Sequence, residues 1–241
     1  IGVGVMGKHH VRILSEISNL VGIYDLNESH SREVSKQFGT KSYDDLDSLL
    51  SEVDAAIIAV PTIYHKDIAE KALHSGVHIL IEKPLAQNKE VAKEILDLAN
   101  DAGLVLAVGH VERHNPAIAY VKEKICSGEW GSIISISSKR MSSDPKRIID
   151  VGVMFDLGVH DIDIIQYLVD SDVQRIFSAG HIRSQGDVED HVLVVMEFLN
   201  DTIANCEFSW RSPEKIRELT IICEFSYVSV NYINQTVSIR N

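Results

Sequence analysis

Over residues 1–110, apolar runs too short to be buried helices alternate with stretches whose apolar residues recur at helical spacing, and few folds accommodate that alternation. The runs cover 20–24, 54–60, 77–81 and 104–108, with Ile1 standing for an earlier one, and 41–43 reads as a further short strand. Between them, 28–38 reads as a helix stopped by Gly39, and 45–50 as a short one. Ile68, Ala69, Ala72 and Leu73 line a helix ending at Gly76; Asn88 caps another that turns Val91, Ile95 and Leu98 inward before Gly103. Strand and helix in strict succession wind a parallel sheet covered on both faces. The expectation is an α/β fold with a doubly wound Rossmann domain over 1–110.

Ligands of such sheets bind beyond the carboxyl ends of the strands, so chemistry is sought there. Gly2-Val3-Gly4-Val5-Met6-Gly7 follows the G-x-G-x-x-G pattern: a tight turn, a close backbone approach to a pyrophosphate, and a helix packed hard on a strand. The helix after it should turn Val11, Leu14 and Ser18 or Ile17 inward. Asp25 closes the next run at about the spacing where a carboxylate accepts ribose hydroxyls and repels a 2′-phosphate, which favours NAD over NADP; an ordinary turn acid is the alternative. The apolar run 79–81 stops at Glu82-Lys83-Pro84, placing a lysine where it can clamp charge or relay a proton, unless it merely pairs with Glu82. Cofactor contacts are expected from Gly2, Gly4, Met6, Gly7, Asp25, Val60, Pro61, Thr62, His65, Glu82, Lys83 and His110, although His65 and His110 also suit solvated loops.

With 35 acidic against 23 basic residues, a formal charge of −12 and no basic cluster, nucleic acid is not the expected partner. No apolar run reaches membrane-spanning length. The three cysteines, Cys126, Cys206 and Cys223, are too scattered for a disulfide framework or zinc knuckle. A cytoplasmic protein that touches neither membrane nor nucleic acid is the reading, with both ends of the chain looking cut.

Beyond 110 the pattern changes. Asn115-Pro116 opens a helix by amide capping, which explains the pair without any ligand. The stretches 132–141, 173–183, 191–199, 202–211, 219–232 and 236–240 read as strands, with a hairpin turn at Asn200-Asp201. Ala204, Cys206, Phe208 and Trp210 share one face, so 111–241 is expected to be an α+β domain whose mostly antiparallel open sheet is covered on one side. The uncovered side suits a second copy, in a homodimer or homotetramer.

Between these strands lies Asp156-Leu-Gly-Val-His160-Asp-Ile-Asp163. Helical spacing stacks Asp156 and His160, and a carboxylate there can hold an imidazole ready to take a proton from a hydroxyl. A plain helix-face ion pair, or a metal site with His110 and His114, are the alternatives; no metal is expected.

The ordered set of Gly2 to His10, Glu82-Lys83-Pro84, Gly109-His110 and Asp156 to Asp163 resembles the Gfo/Idh/MocA family, typified by glucose-fructose oxidoreductase and inositol dehydrogenase. The resemblance spans nearly the whole chain. It implies a Rossmann domain plus a substrate domain, an NAD or NADP cofactor, a sugar or polyol substrate, and Lys83 with His160 as the catalytic pair supported by Asp156. The stretches 109–116, 147–152 and 210–217 look like its nucleotide-sugar branch, which implies a substrate such as UDP-N-acetylglucosamine oxidised at C3. Arg113, Asn115, Arg140 and Arg147, with Asp156 and His160, are the candidates for contacting it, although each of the first four suits a structural role as well. Rival readings are a dinucleotide-sensing regulator without chemistry and an NAD-dependent glycosidase.

Overall fold

The computed structural model describes residues 1–145, 151–182 and 188–241, in two units, Ile1–Gly109 and His110–Asn241. In the first unit α1 (Val5–Ile17) leads to β1 (Gly22–Ile23), α2 (Glu28–Phe38), β2 (Lys41–Ser42), α3 (Leu46–Leu50), β3 (Ala55–Ile58), α4 (His65–His74), β4 (His78–Ile81), α5 (Lys89–Asp101) and β5 (Leu106–Val108). Each helix from α2 to α5 apart from α4 starts on a capping side chain: Asn27 accepts from the His30 amide, Asp45 from Ser48 and Asn88 from Val91. Gly39 ends α2 in the left-handed conformation.

All strand pairs here are parallel: β1 with β2, and β3 with β4 with β5. The backbone of Ile1 and Gly2 joins the two sets, since the Ile1 amine donates to Ile57 O and the Gly2 amide to Tyr24 O, both at 2.8 Å. Ile58, Ile79 and Ile81 pack with Ala69, Leu73 and Ile95 from the helices, each buried aliphatic side chain contributing about 1.5–3 kcal/mol. The opposite sheet face, with Ile57, Leu80 and Ala107 in register, lines a groove of about 590 Å³. Ile17 is 74% exposed, so the inward stripe of α1 runs through Gly7, Val11 and Leu14 and leaves Ile17 outside.

In the second unit α6 (Pro116–Cys126) and β6 (Ile133–Ser143) precede a π-helical turn, Met154–Gly158, and α7 (Val159–Val169). Then follow β7 (Val173–Ile182), β8 (Glu189–Phe198), β9 (Ile203–Ser209), β10 (Arg211–Cys223), β11 (Tyr227–Asn231) and β12 (Thr236–Arg240). They form a seven-stranded sheet in the order β12-β11-β10-β6-β9-β8-β7, antiparallel except for β6 beside β9. Ala204, Cys206, Phe208 and Trp210 are at most 3% exposed and face Ile164, Ile165 and Leu168 of α7 in one core, so the alternation in this segment reports the covered face correctly. The expected strand over 219–232 is two, β10 and β11, paired antiparallel. Strand β10 also begins earlier than expected, at Arg211, and Pro213, which has no amide to donate, falls where its ladder with β6 is interrupted between Arg211 and Ile216. No helix of the described residues is long and apolar enough to cross a membrane.

Candidate active site

The glycine turn is a bare cradle at the amino end of α1. Gly2 has φ +78°, and a Cβ on Gly7 would stand 1.9 Å from Gly2 O, so neither position admits a side chain without movement. A Cβ on Gly4 would meet no atom within 4 Å: its bare Cα opens on space. Helix α1 has no side-chain cap and no acid in its first turn, so its leading amides and dipole are available to an anion. Asp25 Oδ2 accepts from the Val3 amide at 2.8 Å and Oδ1 from Asn27 at 2.8 Å, which bolts the turn to the end of β1 and leaves the carboxylate with lone pairs for ribose hydroxyls. These residues fit a dinucleotide: the turn and α1 would hold the pyrophosphate, and Asp25 the adenosine ribose.

At the end of β4 two of the expected cofactor contacts, Glu82 and His65, are engaged within the protein. Glu82 is 7% exposed, and its carboxylate is engaged by His10 Nε2 at 2.7 Å and by the Lys83 amide at 3.2 Å. Burial pushes its pKa up, but the His10 hydrogen bond and charge, with the Lys83 amide, more than offset this and leave it below the ordinary value. A Cβ on Gly109 would sit 3.1 Å from the same carboxylate, so the glycine makes room for it. Glu82 therefore braces the loop that carries the half-buried Lys83. His65, expected at the cofactor, is 1% exposed; Nδ1 faces Pro84 O at 3.0 Å and Leu85 O at 3.2 Å, while Nε2 faces Val60 O at 3.0 Å. It staples two strand-end loops together, including Val60 next to Pro61 and Thr62. His10 was the missed residue. It lies one turn along α1 from Gly7, on the side that glycine presses to the sheet, which was a usable signal.

In the second unit the turn bearing Asp156 differs from the expectation. Val159 N–H bonds back to Met154 O, an i→i+5 link, so the four-residue α repeat that stacked Asp156 on His160 does not hold across Met154–Gly158. Gly158 permits this turn, since a Cβ there would stand 2.9 Å from Met154 Sδ and 3.0 Å from the Phe208 ring. Asp156 Oδ2 accepts from the buried Trp210 Nε1 at 3.2 Å, so the covered face of β9 and its extension also supplies a donor to this turn. His160 is half-buried at the start of α7.

The expected substrate-contacting residues divide. Arg140 is 1% exposed and spent on Asp161 and Glu112, because a buried guanidinium needs carboxylates around it. The amide of Asn115 is spent too: Oδ1 caps Ala117 N and Nδ2 donates to Tyr232 O, both at 3.1 Å. Arg113 grips Asp163 through two bonds of 2.8 and 2.6 Å, which raise its pKa, yet stays 43% exposed. His110 Nδ1 lies 3.6 Å from the same Asp163. Arg147 lies outside the described residues. Among the described residues no group of three or more His, Cys, Asp or Glu is placed to hold a metal ion.

Comparison with known proteins follows the same division. A family model described as an oxidoreductase family with an NAD-binding Rossmann fold matches residues 1–110, and the GFO/IDH/MocA C-terminal domain matches 118–227. The chain belongs to the Gfo/Idh/MocA oxidoreductase family. UDP-N-acetylglucosamine 3-dehydrogenase of Acidithiobacillus ferrooxidans is 33% identical over 239 residues, 99% of this chain and 75% of that protein. A solved structure of that enzyme superposes with a TM-score of 0.93 at 32% identity, covering 100% of this chain and 78% of the other. Glucose-6-phosphate 3-dehydrogenase of Bacillus subtilis is 33% identical over 186 residues, 71% of this chain but 53% of its own length. GenD2 from gentamicin A biosynthesis, solved with NAD, superposes with a TM-score of 0.88 at 25% identity, covering 95% of this chain and 70% of its own. Like other Gfo/Idh/MocA proteins the chain is thus an oxidoreductase whose first domain is of the NAD-binding type, and the resemblance seen in the sequence holds for family, fold and cofactor.

Proposed function

We propose that this Gfo/Idh/MocA protein oxidises a secondary hydroxyl of a nucleotide sugar, with UDP-N-acetylglucosamine at C3 as the first candidate. The likeness to UDP-N-acetylglucosamine 3-dehydrogenase along 99% of the chain carries this reading. Bound at the glycine turn, NAD supplies the hydride acceptor. His160 takes the hydroxyl proton as the carbinol C–H gives up its hydride, and Lys83 stabilises the oxygen as it gains negative charge. Asp156, steadied by Trp210, supports the site electrostatically, and Arg113, part-exposed beside Asp163, is a cation that can meet substrate. The outer sheet face presents Phe177, Leu193, Val195 and Ile222, each at least 41% exposed, which supports pairing of two or four copies there. Free cysteines and a dinucleotide cofactor support a cytoplasmic location.

The test is incubation with NAD and a panel of UDP-sugars, following reduced-nicotinamide absorbance and the keto-sugar by mass spectrometry. Lys83→Met and His160→Asn should each lower kcat by about 10²–10⁴-fold, the worth of general acid–base assistance, with NAD affinity nearly intact. NAD binding without turnover of any sugar would favour a sensor, and bond cleavage without net reduced cofactor a glycosidase.

A further inference from the structure

We propose that Asp161, clamped by Arg140, is a positioning residue that sets the rotation of α7 and thereby aims His160; this rests on the reading of His160 as the base. Asp161 directly follows His160 and is 1% exposed. Its Oδ1 accepts from Arg140 Nε at 3.0 Å and Nη2 at 2.8 Å. Arg140, reaching in from β6, gives Nη1 to Glu112 Oε1 at 2.9 Å, and its guanidinium lies 5.0 Å from the Tyr232 ring centroid. One side chain on α7 is thus held against β6, the turn Val111–His114 and the start of the connection after β11.

The need for such a clamp comes from the turn before α7. Through Met154–Gly158 the backbone is π-helical, and Val159 N–H is shared between Met154 O and Leu157 O. The regular i→i+4 ladder, which would otherwise transmit the orientation of Asp156 to His160, is broken at that junction. What packs α7 to the sheet beyond it is aliphatic, Ile164, Ile165 and Leu168; its other charged fork, Asp163 to the part-exposed Arg113, ties it to the turn Val111–His114 and not to the sheet. Apolar burial is non-directional and tolerates a small roll of the helix, whereas a charged, forked hydrogen bond does not.

Stability alone does not explain the pair. A buried ion pair is commonly no better than apolar residues of similar volume. This one also leaves Asp161 Oδ2 and the Tyr232 hydroxyl, both buried, without a hydrogen-bond partner among the described residues. Burial pushes the Asp161 carboxyl upward against the pull of Arg140, while the nearby carboxylates keep the Arg140 guanidinium protonated despite its burial. A charged group kept on these terms is accounted for by the geometry it imposes.

The experiment removes the clamp without emptying the core, by the double change Arg140→Met with Asp161→Leu, measured with NAD and UDP-N-acetylglucosamine. The expected result is a thermal midpoint near wild type, an unchanged KM for NAD and a kcat lower by about 10²-fold, the effect of misplacing a catalytic group by about 1 Å. In a His160→Asn background the same double change should lower residual turnover less than about threefold, because the loss acts through His160. Asp161→Asn, which keeps shape and one acceptor, should give a smaller kcat loss and serves if the double change fails to fold. Native kcat in the folded clampless protein, or an equal loss in both backgrounds, overturns the proposal. Wild-type kcat in the single His160→Asn variant overturns the parent reading as well, and that variant alone shows which has failed.

Discussion

Gly7→Ala and Gly4→Ala separate what the glycine turn does for the fold from what it does for the cofactor. A methyl on Gly7 would stand 1.9 Å from Gly2 O, against an ordinary contact of 3.4 Å or more, so α1 or the turn must move by about 1.5 Å. The turn cannot yield cheaply: the Gly2 amide is bonded to Tyr24 O, and the Val3 amide to Asp25, each at 2.8 Å. Helix α1 must therefore retreat, and overpacking of this kind costs about 1–3 kcal/mol. In a chain of this size that lowers the thermal midpoint by about 2–12 °C, at about 2–4 °C per kcal/mol. At Gly4, by contrast, the methyl meets nothing within 4 Å and φ is −60°, so the apoprotein should lose less than about 1 kcal/mol, the difference between glycine and alanine as a helix cap. NAD affinity should nevertheless fall, since the methyl fills the space a pyrophosphate needs. Scanning calorimetry of both apoproteins and titration calorimetry with NAD read the two effects separately. A Gly7→Ala protein that melts and binds like wild type would refute the steric reasoning; a Gly4→Ala protein with undiminished affinity would remove the turn from the NAD site.

Glu82→Gln should be less stable than wild type at pH 7 by about 1–3 kcal/mol, for loss of a charge-assisted bond to His10. Because the folded pKa of Glu82 lies below its ordinary 4.5, wild type should hold this advantage in full above about that pH and lose it as pH falls through the lower folded value, as urea titrations across acid pH will show. Arg140→Met alone, leaving Asp161 buried without its partner, should cost about 3–5 kcal/mol in denaturant melts, more than the double change with Asp161→Leu. His65→Ala strips the ring nitrogens facing three carbonyls and should lower the thermal midpoint by the equivalent of about 1–3 kcal/mol while sparing the sugar KM. Trp210→Phe removes the 3.2 Å bond to Asp156 and should reduce kcat more than NAD affinity, in steady-state kinetics and cofactor titration respectively.

Local periodicity carried most of the architecture. Helix α2 begins and ends at the residues the pattern indicates, because Asn27 and Gly39 are short-range signals that need no partner from elsewhere in the chain. The buried face of β9 was equally legible from alternation alone. The split of 219–232 into β10 and β11 was not: Ser226 amid apolar residues is a weak turn signal, and the reversal is held by Cys223 N–H to Ser226 O at 2.9 Å.

The kinds of residue at the candidate site were also legible, but not their employment. A charged side chain at a strand end reads the same whether it meets a ligand or another side chain, and its partner is set by residues distant in the chain. Arg140 meets Asp161 and Glu112, Glu82 meets His10 across 72 positions, and Asn115 reaches Tyr232 across 117. The amino-acid order by itself determined the family, the two-part α/β plan and the glycine turn, because caps, periods and contiguous motifs act over a few residues. Only the folded chain decided that Arg140, Glu82 and His65 are buried, that Asn115 pairs with Tyr232 and that a π turn precedes His160, because burial and long-range pairing are properties of packed elements rather than of neighbours in the chain.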